Sequence, residues 1–175
     1  MNWRFWVFLD IDGVLATNKT YSQWQKHRED WKLIDQALLR NFGALLDYIP
    51  NYEFCLSSSW RMNELCRKEL FKAFRAQKVP RWRHTTTMER QFCRNGEIQE
   101  FCLENVQAAD RLIILDDLPM DLPEGCEELV PFHIQSDSHT GFNKSLLKRA
   151  KAIVDREMAH KNSGLADDWT DFNNR

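Results

Sequence analysis

The chain has 175 residues, 43% hydrophobic, 29% charged and 12% aromatic, with a formal net charge of −2. That length suits one domain around one sizeable core, and the composition excludes intrinsic disorder, collagen-like repeats and low complexity for the body of the protein. No run reaches the roughly 18 consecutive apolar residues of a spanning helix, the opening MNWRFWVFLDIDG does not read as a secretory leader, and the five cysteines Cys55, Cys66, Cys93, Cys102 and Cys126 contain no CxxC pair. The expectation is a cytoplasmic protein with reduced thiols and no membrane partner.

Taken in chain order, Phe5–Leu9 (FWVFL) is a short apolar run that ends at a polar, glycine-containing loop, as a buried strand does. Residues 13–32 are polar and aromatic without clear periodicity and read as a loop or small flap inserted after that strand. Ile34, Leu38, Phe42, Leu45 and Ile49 then recur at helical spacing, and Pro50 stops them. Tyr52–Leu56 reads as a second strand, followed by helical spacing through Met62, Cys66, Leu70 and Ala73. A short strand is expected within residues 80–87, a short helix over 96–105, and strands over 112–115 and 129–134. A last helix carries Leu146, Leu147, Ala150, Ile153 and Val154 behind Asn143 as N-cap. This alternation predicts an α/β fold, a doubly wound and mostly parallel sheet with helices on both faces. One domain over residues 1–160 and a mobile tail over 161–175 are expected.

Charge is unevenly distributed. From Arg61 to Arg94 there are ten basic residues against three acidic ones, on a chain that is otherwise acidic. Such a segment is compatible with a polyanionic ligand, or with a plain solvated face.

In an open parallel sheet, ligands bind beyond the carboxyl ends of the strands. The first strand ends in Asp10-Ile11-Asp12-Gly13, the second in Ser57-Ser58-Ser59-Trp60-Arg61, and the fourth in Asp116-Asp117, with Asp121 close behind. Carboxylates converging that closely repel one another unless a cation sits among them, so a hard divalent ion with oxygen ligands is implied, Mg²⁺ by default. A carboxylate nucleophile beside a carboxylic acid suits phosphoryl transfer through a covalent aspartyl intermediate.

The run VFLDIDGVLAT resembles the opening motif of the haloacid-dehalogenase (HAD) superfamily of aspartate-nucleophile phosphatases. The resemblance continues through the serines after the second strand and the acid pair Asp116-Asp117 after Ile113-Ile114-Leu115, and covers roughly residues 5–121. The closing Asp137-Ser-His-Thr-Gly141-Phe-Asn143 is similar to small HAD proteins grouped with RNA-repair enzymes. The resemblance implies that Asp10 attacks phosphorus and that Asp12 protonates the leaving oxygen and then activates water. It implies that Mg²⁺ is held by the Asp10 carboxylate, the Asp12 carbonyl and an acid of the last motif, with Asp117 favoured and Asp116 beside it. Ser58 is the best match for the hydroxyl that binds the phosphoryl group, with Ser57 as the alternative. Asp121 is left as an outer acid or a turn residue.

Many superfamily members carry a lysine as the next basic residue. Here Arg94, in Arg94-Asn-Gly-Glu97-Ile98, takes that place and is similar to the arginine before the Glu-Ile pair of the small RNA-repair-like proteins. A guanidinium fork suits two phosphoryl oxygens. No large cap is expected, so the site is open. An open site beside a basic segment suggests a nucleotide or a single-stranded nucleic-acid end as the phosphorylated substrate. Gly13, Ser57, Ser59, Trp60, Arg61, Arg81, Trp82 and Arg83 are the candidate substrate contacts, with Trp82 as a stacking platform. A phosphoprotein or small-metabolite phosphatase is the alternative within the superfamily. A receiver-like switch would carry its acid pair after the first strand, opposite to the order here, and no residue argues for a silent binding domain.

Overall fold

The computed structural model describes residues 3–27, 32–86, 94–119 and 127–163. Strand β1 (Phe5–Leu9) is buried along its whole length. It lies between β2 (Tyr52–Leu56) and β4 (Arg111–Asp116), with β3 (His84–Thr85) and β5 (His133–Gln135) outside them. All four pairings are parallel and the order is β3-β2-β1-β4-β5. Helices cover both faces, so the central strands are continuous apolar runs rather than alternating ones.

The pleat sends successive side chains to opposite faces. Phe5, Val7 and Leu9 pack with Phe54, Leu56, Ile113 and Leu115 in one core, together with Leu39 and Phe42 of α2 (Gln36–Leu46), Phe74 of α3 (Glu64–Ala76) and Ile153 of α5 (Lys144–Ser163). Trp6 and Phe8 pack on the other face with Cys55, Leu112, Ile114 and with Ile98, Phe101 and Cys102 of α4 (Arg94–Asn105). Asp35 caps α2, accepting from the Ala37 and Leu38 amides at 2.7 and 3.3 Å. Asn143 caps α5 as its sequence position suggested, accepting from Ser145 and Leu146 at 2.9 and 3.2 Å.

Three expectations change. Residues 13–32 hold a helix, α1 (Asn18–Lys26), opened by a reciprocal Thr17–Thr20 capping box. Residues 129–134 are not one strand: a 3₁₀ turn over Glu127–Phe132 contains Pro131, which lacks an N–H for the ladder, and β5 starts only at His133. Helix α4 begins at Arg94, two residues before the predicted start, which puts that arginine inside the first turn. Helix α5 ends at Ser163. No large cap is inserted among the described residues, and no described helix is long and apolar enough to cross a membrane.

Cys55 and Cys102 are buried and Cys66 is half-buried, all as free thiols. Burial pushes the Cys102 thiol up to about 12 and the Cys55 thiol further, so both are inert filler at neutral pH. Cys93, Cys126 and the tail from residue 164 lie outside the described residues.

Candidate active site

The register continues one residue past the strands. The Asp10 amide donates to Leu115 O at 2.9 Å, Ser57 N to Leu9 O at 3.0 Å and Thr86 N to Leu56 O at 3.4 Å. Thr86, Ser57, Asp10 and Asp116 therefore stand level across four neighbouring strands. By alternation their side chains share the face that α4 covers. Asp10, Asp116 and the next residue, Asp117, each bring a carboxylate oxygen within 4.8 Å of the others.

This cluster is electrostatically strained. Burial, then the neighbouring Asp10, pushes the Asp116 carboxyl up to about 7 against the opposing pull of Arg94. Asp117 is raised as well, by burial first and then by Asp10. Asp116 Oδ2 and Ser57 Oγ are buried without a hydrogen-bond partner among the described residues. Gly13 adopts φ +70°, and a Cβ there would overlap the Asp117 carboxylate, so only glycine lets that side chain lie against the β1 loop. Ser136 Oγ donates to Gly13 O at 2.8 Å and braces the same turn. An all-oxygen set of crowded, partly unsatisfied carboxylates fits a hard divalent cation.

Opposite the acids stands Arg94, whose side chain is 13% exposed. Its Nη1 lies 3.0 Å from Asp10 Oδ1 and 3.6 Å from Asp116 Oδ2. Burial works against this charge, but Asp10 and Asp116 outweigh it, and the net shift is upward. Glu97 Oε2 lies 3.9 Å from Arg94 Nε and accepts from Arg61 Nη2 at 2.8 Å and Thr86 Oγ1 at 3.1 Å.

Asp12 points elsewhere. Its Oδ1 accepts from the Tyr21 hydroxyl at 2.6 Å and from Trp60 Nε1 at 3.0 Å. Burial, then the Asp12 hydrogen bond and charge, raises the Tyr21 phenol well above its ordinary range, so it keeps its proton and donates.

The structure thus brings together Asp10, Asp116, Asp117, Arg94, Gly13 and Ser57. Ser58 is buried, but its hydroxyl accepts from the Trp60 amide at 3.4 Å as the cap of a 3₁₀ turn over Ser59–Met62. Ser59 is exposed. Three residues offered as substrate contacts face inward: Trp60, 4% exposed with its indole N–H on Asp12, Arg61 and Trp82. Arg61 is 6% exposed, donating to the Ser57 and Ser58 carbonyls at 2.7 Å each besides its pairing with Glu97. Trp82 is 7% exposed and stacks on Phe71 at 4.7 Å, so the first core takes its ring and no platform is presented. Arg81 lies 4.2 Å over Phe71. Arg83 donates its amide to Phe54 O, three residues or about 10 Å along the sheet from Ser57. Arg81 and Arg83 therefore stand away from the acid cluster. Asp121 lies outside the described residues.

Tyr21, Thr86, Glu97 and Ser136 were not singled out from sequence. Glu97 carried a usable signal, being one helical turn after Arg94. Tyr21 carried none, since nothing local links residue 21 to residue 12.

A five-stranded parallel sheet with an acid cluster and a half-buried arginine at its carboxyl edge defines an α/β domain of the HAD type, a hydrolase scaffold. Over residues 6–147 the chain matches the family described as HAD domain in Swiss Army Knife RNA repair proteins, and it belongs to that family. No curated protein and no solved structure matches the chain.

Proposed function

We propose that this HAD-type hydrolase is a Mg²⁺-dependent phosphomonoesterase that works through an aspartyl-phosphate on Asp10. The observation that carries this reading is the approach of Arg94 Nη1 to both Asp10 Oδ1, at 3.0 Å, and Asp116 Oδ2, at 3.6 Å. A guanidinium there meets a phosphoryl group on the nucleophile with two donors.

An Asp10 carboxylate oxygen bonds to phosphorus as the bond to the leaving oxygen breaks, and Asp12 gives that oxygen its proton. Water then attacks phosphorus and passes a proton to Asp12. The bond to Asp10 breaks, and phosphate leaves. Arg94 neutralises charge on the phosphoryl oxygens, and Ser57 is favoured over Ser58 as hydroxyl donor because its buried oxygen is otherwise unsatisfied. The carboxylates of Asp10, Asp116 and Asp117, with the Asp12 carbonyl, would hold Mg²⁺. When bound, the ion screens the acids and the incoming phosphate from each other.

The substrate is a nucleotide or a phosphorylated nucleic-acid end. The family's place in RNA repair supports this, as does a site over which the described residues place no large cap. A cytoplasmic location is part of the same reading. Phosphate release should be measured with Mg²⁺ on 3′- and 5′-phosphorylated oligonucleotides, mononucleotides, sugar phosphates and phosphopeptides, using Asp10→Asn as control. The expected order puts oligonucleotides or nucleotides first. Equal or better turnover of sugar phosphates or phosphopeptides overturns the substrate, and release unchanged in Asp10→Asn overturns the mechanism.

A further inference from the structure

We propose that Tyr21 and Trp60 are positioning residues that fix the Asp12 carboxyl for proton exchange with the leaving oxygen, an inference that rests on the function proposed above. Both donors reach the same oxygen, Oδ1, at 2.6 and 3.0 Å. An indole N–H can only donate, so Oδ1 remains an acceptor whether or not Asp12 carries a proton. No hydrogen bond reaches Oδ2 from the described residues. The acidic proton therefore belongs on Oδ2, and the two donors hold the rotamer that presents it.

The two donors are held by separate elements. Tyr21 sits in the first turns of α1, whose start is tied down twice: the Asn18 amide donates to Ser138 O at 2.9 Å and its side chain to Ser138 Oγ at 3.2 Å. The capping box fixes the same end, with Thr20 Oγ1 accepting from the Thr17 amide at 2.9 Å. Trp60 is 4% exposed and sits in the 3₁₀ turn directly after the serines of β2. Asp12 itself precedes Gly13, where the chain turns sharply. A carboxyl gripped from the β1 side and from the β2 side has little rotational freedom, and preorganisation of a proton donor is worth part of the usual general-acid factor of about 10² to 10⁴.

The chemistry distinguishes this role from simple packing. Tyr21→Phe removes one hydroxyl and keeps the ring. It should lower kcat/KM, which reads the transfer to Asp10 and not the later attack of water, about tenfold or more on a ribonucleoside 3′-monophosphate, whose sugar oxygen leaves poorly, and less than about threefold on 4-nitrophenyl phosphate, which needs no proton to leave. The melting temperature should change little. Trp60→Phe, in which the N–H is lost with part of the ring, should show the same split between substrates. Asp12→Asn is the reference and should show the largest split. If Asp12→Asn splits the substrates while Tyr21→Phe and Trp60→Phe lose both equally, or lose neither, the positioning role is overturned and the phosphatase reading stands. If Asp12→Asn shows no split, the acid role falls and the inference falls with it.

Discussion

Arg61 and Glu97, 36 residues apart in sequence, form a buried ion pair at 2.8 Å, with side chains 5% and 7% exposed. The pair joins the serine turn after β2 to the first turn of α4. Arg61 also donates to the carbonyls of Ser57 and Ser58, so one guanidinium fixes the backbone of the proposed phosphoryl-binding turn and the carboxylate beside Arg94. Two halves of the site are thereby coupled through a residue whose side-chain partners, Ser57, Ser58 and Glu97, include none of the three acids of the cluster.

Arg61→Ala leaves Glu97 buried beside Arg94 and Thr86 without its main partner. Removing one member of a buried pair typically costs about 3–5 kcal/mol. Urea unfolding should show a loss of that size, and a loss below about 1 kcal/mol would mean that water replaces the guanidinium without penalty.

Asp10→Asn should reduce phosphate release at least a hundredfold with the fold intact, because an amide is nearly isosteric with a carboxylate but is not a nucleophile. Circular dichroism and single-turnover phosphate release check the two halves of that statement. Activity within tenfold of the parent would remove Asp10 from the nucleophile role.

Asp116 sets a pH dependence of stability. Its carboxyl titrates near 3.8 as a free group and is pushed up to about 7 in the fold, by burial first and by Asp10 second. Between those values the folded chain holds a proton that the unfolded chain has released, so the contribution of Asp116 to the stability of the metal-free protein falls as pH rises from 4 to about 7 and then levels off. Asp116→Asn removes the penalty and should raise the melting temperature at pH 8 by several degrees, with a smaller gain at pH 5. Thermal melts at both pH values, without divalent ions, test this. A lower melting point for the variant at pH 8 contradicts it.

Chelation should abolish activity, and Mg²⁺ should restore it where Ca²⁺ does not, since the larger and more flexible calcium shell misplaces the nucleophile. Mg²⁺ should also raise the melting temperature of the parent at pH 8, and raise it less in Asp117→Asn. Full turnover in EDTA would overturn the metal assignment.

The sheet was legible in the chain because its strands announce themselves locally. Phe5–Leu9, Tyr52–Leu56 and Arg111–Asp116 are short apolar runs, and the polar residues that follow them form the edge of any parallel sheet they build. Asp10, Asp116, Asp117 and Gly13 could be marked for that reason, and Arg94 by its neighbours Glu97 and Ile98. Other features depended on partners distant in sequence. Helix α1 has only Thr20 buried and just two aromatic residues, Tyr21 and Trp24, among polar ones, so its signal in the sequence is weak; its start is held by caps and by Ser138, and Tyr21 packs on the core. Arg61 and Trp82 were read as outward-facing because composition cannot tell a solvated basic residue from one desolvated by Glu97, or an exposed indole from one stacked on Phe71. Ser57 and Ser58 are alike as residues. Only the register of β2 against β1, which sets Ser57 level with Asp10 and turns Ser58 into a cap, decides which hydroxyl is left unsatisfied beside the acids. Local pattern determined which strands end in polar, acidic residues, and long-range packing decided which side chains at those ends meet in the acid cluster, because burial and pairing are properties of the assembled sheet.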